Sequence, residues 1–141
     1  MIAVALTPRV QMLAICDRVQ QSLKEPTVYH LKGVRQHLTA RAFPFRPRSL
    51  WLFTIMSYHR PGEFPCYIRI INERTARTIL YSNINPTPVF DTGLSYWMDA
   101  SSIRCSFPEP GRYAVELGFF QEVGYDVVKG ETRLWISEPL E

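Results

Sequence analysis

With 141 residues, 46% of them hydrophobic and 21% charged, the chain suits a single domain over residues 1–141 that buries its core without metals or crosslinks. Eleven prolines, seven glycines and 13% aromatic residues, without any Ala/Leu/Glu/Lys-rich tract, favour short strands over helices. Cys16, Cys66 and Cys105 are an odd and widely spaced set, which argues against a disulfide framework or a zinc site, and no stretch nears the roughly 18 apolar residues of a membrane helix.

The N-terminal MIAVAL has no basic lead and is too short for a signal h-region, so a soluble cytoplasmic protein is the expectation. The net charge of +3 hides an asymmetry: residues 1–34 carry +2, residues 35–77 carry +6 and residues 78–141 carry −5. The middle is basic and the end acidic.

Val10–Cys16 has apolar residues at both parities, which predicts a strand covered on both faces. Gln20–Pro26 (QQSLKEP) is polar and closes with proline, as a surface connection does. Thr27–Arg41 reads as one long strand bulged at Gly33, so that Val34, Leu38 and Ala40 share an inward face with Val28 and Leu31. Two prolines in Phe43–Arg48 exclude helix and predict an extended crossing between sheets.

Leu50–Tyr58 is the most apolar run, with Trp51, Phe53 and Ile55 on one face and Leu50, Leu52, Met56 and Tyr58 on the other. Such a segment is a central strand, or one whose outer face meets a partner. After the Pro61-Gly62 turn, Phe64–Ile71 alternates with Phe64, Cys66, Ile68 and Ile70 inward, and Arg77–Ser82 pairs back onto it. Asn85-Pro86-Thr87-Pro88 is a stiff crossing, and Leu94–Phe107 is a long, bent strand.

Phe107–Leu117 (FPEPGRYAVEL) is the most specific local pattern, a Pro-Gly turn followed by Tyr113, Val115, Leu117 and Phe119 at period two. It resembles the corner of immunoglobulin-like sandwiches in which a tyrosine hydroxyl pins the preceding loop. Gln121–Gly130 carries a turn, and Thr132, Leu134 and Ile136 form the closing strand. About eight strands with proline-rich crossings predict an all-β fold, a two-sheet antiparallel β-sandwich of immunoglobulin-like type.

The CDRV beginning at Cys16, the Gly33-Val34 pair, the Phe43-Pro44 crossing and FPEPGRYAVEL together resemble a group of small bacterial proteins of unknown function. The resemblance spans most of the chain. It implies a β-sandwich and brings no functional residues with it.

Nucleophilic catalysis would need Cys16 or a serine to meet a histidine and an orienting carboxylate, but His30, His37 and His59 fall in no such motif. The acids are spread over turns and outward positions, the glycines never form a phosphate loop, and no cluster has metal-ligand spacing. No catalytic, cofactor or metal residue is therefore assigned. The first expectation is a non-enzymatic binding or assembly protein, a homo-oligomer or accessory subunit, with Trp51, Phe53, Tyr58, Trp97 and Trp135 at its protein interface. The alternative is a binder of single-stranded nucleic acid or another anionic ligand, using Arg41, Arg46, Arg48 and Arg60 among nearby aromatics.

Overall fold

The computed structural model describes residues 7–120 and 127–140. Among them are eleven strands and no helix: β1 (Arg9–Gln21), β2 (Tyr29–Val34), β3 (His37–Thr39), β4 (Trp51–Tyr58), β5 (Gly62–Glu63), β6 (Cys66–Asn72), β7 (Thr78–Asn83), β8 (Val89–Phe90), β9 (Ser95–Ser102), β10 (Gly111–Phe119) and β11 (Val127–Ser137). One sheet has the order β2-β1-β4-β9, a second the order β3-β11-β10-β6-β7, and β5 pairs with β8 in a third. The chain is thus all-β with several sheets, an arrangement compatible with a β-sandwich. Three strands exceed the expected eight, and β3, β5 and β8, at two or three residues each, are too short to show an alternation.

The strand β4 lies between β1 and β9, as its two apolar faces require. Leu52, Met56 and Tyr58 join one core with Ile15 of β1, Ile68 and Ile70 of β6, Val115 and Leu117 of β10 and Leu134 of β11. Both larger sheets share that core. On the opposite face of β4, Phe53 is only 3% exposed and packs with Ala14 and Cys16, with Tyr29, Ile55 and Met98 around them.

Tyr29 accounts for much of that cover. It belongs to β2, yet its hydroxyl donates to the Met98 carbonyl of β9 at 3.2 Å, and its ring lies 5.2 Å from that of Phe53. Three strand spacings of about 4.8 Å exceed the reach of a tyrosine. The end of the β1–β2 hairpin therefore curls over the outer face of its own sheet.

Thr27–Arg41 is not one strand. Gly33 adopts φ +64°, and the Asp17 carboxylate, which pairs with Arg35, fills the space where a Cβ would project. The strand β2 stops at Val34, which is exposed, and the chain crosses to the second sheet, where β3 runs parallel to β11. Leu38 and Ala40 reach the main core, whereas Leu31 stays with the outer cluster of the first sheet. Gly33 thus sits at a change of sheet rather than at a re-phasing bulge, and one pairing departs from the antiparallel expectation.

The bent strand expected over Leu94–Phe107 also ends early, at Ser102. Ile103, Cys105 and Phe107 are buried in an extended segment that carries a single bridge, Phe45 to Phe107. The crossing at Phe43–Arg48 carries the chain from the second sheet to the first, and that at Asn85–Pro88 carries it from the second sheet to β8 of the third. Most of the turn expected over Gln121–Gly130 lies outside the described residues. No helix among the described residues is long and apolar enough to cross a membrane.

Tyr113 is fully buried at the start of β10, where its hydroxyl donates to the Glu109 carbonyl at 2.6 Å and accepts from the Glu109 N–H at 3.3 Å. This is the pinned corner that FPEPGRYAVEL predicts. The Glu109 carboxylate receives the Arg74 fork at 2.6 and 2.8 Å and the Asn72 amide at 3.0 Å, which ties the β6–β7 turn to the corner. Arg74, seconded by Asn72, holds the Glu109 carboxyl down at about 2, against an ordinary 4.5.

Two outcomes follow from this corner. Tyr113→Phe removes the hydroxyl that pairs both Glu109 backbone groups in a part-buried site and lowers unfolding stability by about 1 kcal/mol in urea titrations; an unchanged midpoint would contradict the pinned corner. Because folding depresses the Glu109 pKa, its ionisation stabilises the fold fully above 4.5, and that contribution is lost as pH falls toward 2. The melting-temperature gap between the parent and Glu109→Gln accordingly closes between pH 4.5 and 2, and a gap constant over that window would contradict it.

Candidate functional site

Two segments distant in sequence meet at the end of the first sheet where β4 begins and β9 ends. In Arg46-Pro47-Arg48 the proline is half-buried and both arginines are exposed. In Ile103-Arg104-Cys105 the flanking residues are buried and the arginine between them is exposed. Alternation thus anchors Ile103 and Cys105 in the main core, turns Pro47 partly inward and leaves the three arginines exposed.

Backbone ties fix the two segments together. Phe45 and Phe107 exchange both N–H···O bonds at 2.8 Å, and the Ile103 N–H donates to the Leu50 carbonyl at 2.8 Å. The Ser49 hydroxyl donates to the Asp17 carbonyl at 2.6 Å, which fastens the crossing to β1. Between these ties opens a cleft of about 320 Å³ lined by Arg46, Arg48, Arg104, Trp51 and Ser102, with no acid in its wall. Burial pushes the nearby Cys105 thiol up to about 11, and Arg46 is close enough to pull it the other way.

The charges of the cleft are unspent. Arg35, Arg69, Arg74 and Arg133 are held by Asp17, Glu116, Glu109 and Glu73 respectively, whereas Arg46, Arg48 and Arg104 have no ion-pair partner among the described residues. Trp51 stands opposite Cys16 on β1 and Ser102 on β9, both small, so space remains beside its half-buried indole. A wider groove on the second sheet is lined by His37, Arg112, Arg133 and Trp135. There Arg133 is bound to Glu73 and Glu131, and His37 shares a 2.6 Å hydrogen bond with Ser137.

Of the arginines singled out in the sequence, Arg46 and Arg48 come together, while Arg41 follows β3 and lies outside the cleft. Arg60 follows the far end of β4, whose eight residues span about 25 Å. Arg104 replaces them, and it was hidden because it sits in the acidic C-terminal part of the chain. The one local signal was its place between two buried residues, Ile103 and Cys105.

The proposed interface aromatics do not form one surface. Phe53 and Tyr58 are buried on opposite faces of β4, and Trp97 packs against the main core, so it is not an outward residue. Trp135, 52% exposed, lies on the second sheet beside His37, at a ring distance of 5.3 Å. Trp51 belongs to the arginine cleft.

Cys16, His30 and His37 do not converge either. Cys16 is buried in the outer cluster of the first sheet, His30 is on that sheet's edge strand, and His37 is on the second sheet. Burial dominates all three thiols and pushes Cys66 up to about 12. Among the described residues no group of three acidic, His or Cys side chains is placed to hold a metal ion. No protein-family model matches the sequence, and no curated protein shows significant similarity to it.

Proposed function

We propose that this chain is a non-enzymatic, cytoplasmic binding protein that holds an anionic partner in the Arg46–Arg48–Arg104 cleft. The observation that carries this reading is that three arginines, none ion-paired among the described residues, line one acid-free cleft beside Trp51. Guanidinium is weakly hydrated and presents a planar fork that matches carboxylate and phosphate, so such a group of three favours an anion over a neutral ligand. The cleft is set by backbone bonds between β-anchored segments, which fixes the points from which its arginines project before a partner arrives.

The scaffold fits an immunoglobulin-like sandwich. Strands β1-β4-β9 and β11-β10-β6 follow the A-B-E and G-F-C orders of such folds, and the Tyr113 hydroxyl pins the turn before β10 as a tyrosine corner does. Membership of the group of small bacterial proteins that the sequence resembles belongs to the same reading.

A second reading, assembly of copies through protein contacts, is supported by the outer face of the first sheet. Met12 and Tyr96 are exposed there, beside half-buried Ile55, Met98 and Ala100. Apolar surface of this kind is more often covered than left to water.

Sedimentation velocity at low and high salt, with and without inorganic polyphosphate, separates the two. The anion reading predicts a species shifted by polyphosphate at low salt, with the shift fading as salt rises and absent in the Arg46→Ala/Arg48→Ala/Arg104→Ala variant. A salt-stable oligomer indifferent to polyphosphate would overturn it in favour of assembly. An unaltered shift in the triple variant would move the site away from the cleft.

A further inference from the structure

We propose that the unit recognised in this cleft is a nucleotide, its phosphate held by Arg46, Arg48 and Arg104 and its base laid against the Trp51 indole; this rests on the anion-binding reading above. The three tryptophans of the chain are placed very differently. Trp97 packs against the main core and the ring of Trp135 meets that of His37, whereas Trp51 belongs to neither apolar cluster and has no ring partner among the described residues. A half-buried indole outside both apolar clusters and without an aromatic partner among the described residues, set in a basic wall, is placed for a ligand's ring rather than for the fold.

Chemistry and size narrow the ligand further. An anion alone uses the guanidinium groups and leaves the indole idle, whereas a planar base stacks on an indole face whatever its identity. At about 320 Å³ the cleft lies at the small end of ligand sites, roughly 300–1,000 Å³, which suits one nucleotide unit rather than a duplex. A duplex also keeps its base faces stacked inside, out of reach of an indole, so the unit is either a free mononucleotide or an unpaired residue of a single strand. The small neighbours Cys16 and Ser102 are what leave the indole accessible to either.

The test compares AMP with ribose 5-phosphate, which keeps the sugar and phosphate but lacks the base, on the full chain by calorimetry at low salt. AMP is expected to bind on the order of tenfold more tightly. Trp51→Ala is expected to bring AMP down to the level of ribose 5-phosphate and leave the latter unchanged, and Trp51→Phe to restore most of the difference. Circular dichroism on each variant confirms that it is folded.

Equal affinities for AMP and ribose 5-phosphate would overturn the nucleotide inference. If polyphosphate still binds through the arginines in that case, the anion reading stands; if no phosphate probe binds, both fall. A Trp51→Ala loss equal for both ligands would also overturn it, by reducing Trp51 to a structural support. An oligo-dA ten-mer resolves the source: affinity beyond a tenfold statistical gain over AMP assigns the unit to a single strand, and no such gain assigns it to a free nucleotide.

Discussion

Coverage of β4 on both faces is the constraint from which the rest of the architecture follows. A strand with Leu52 and Met56 on one side and Phe53 and Ile55 on the other cannot lie at a sheet edge with one face in water without exposing several large apolar side chains. One face is met by the second sheet, through Ile68, Ile70, Val115 and Leu117. The other is met by the curl of the β1–β2 hairpin, whose Tyr29 reaches over Phe53 to β9. Long β1 serves both ends of this arrangement, pairing with β4 through its first half and with β2 through its second.

The same constraint sets the cleft. Leu50 is buried where the chain enters β4, and its carbonyl takes the N–H of Ile103 as the chain leaves β9, so the entry and exit segments lie side by side. Arg46 and Arg48 flank half-buried Pro47, and Arg104 stands between buried Ile103 and Cys105, which brings three arginines to the lining of one cleft. Among the described residues, four other arginines are neutralised by acids, as in the Arg69–Glu116 cross-strand pair and the Arg74 fork on Glu109. Like charges gathered without a counter-charge repel one another, and an anion in the cleft relieves that repulsion.

The elements that were legible in the sequence are those whose signal is local. Alternation located β4, β6 and β10, the paired prolines located the crossings, and FPEPGRYAVEL located the Tyr113 corner down to the hydroxyl that pins it. The misreadings involve choices made between distant segments. Gly33 signals an irregular backbone equally well for a bulge and for a change of sheet, and the sheet that receives β3 is decided by pairing with β11, a hundred residues away in Trp135–Ser137. The structure divides the arginine set for the same reason. Arg60 is near Arg48 in sequence but separated from it by the length of β4, whereas Arg104 is far in sequence and joins Arg48 across one backbone tie. In the sequence Trp97 reads as an interface residue because the parity of a bent strand is ambiguous, and its pairing with Met56 turns it toward the core.

The most direct test of the account is nitrogen-15 NMR of the uniformly labelled chain titrated with polyphosphate, read at the three tryptophan indole N–H signals and the arginine side chains. The account predicts that the Trp51 indole and the guanidinium signals of Arg46, Arg48 and Arg104 move together and saturate, while Trp97 and Trp135 stay still. Movement centred on Trp135 and Arg112, with Trp51 unmoved, would contradict it and place the anion in the groove of the second sheet.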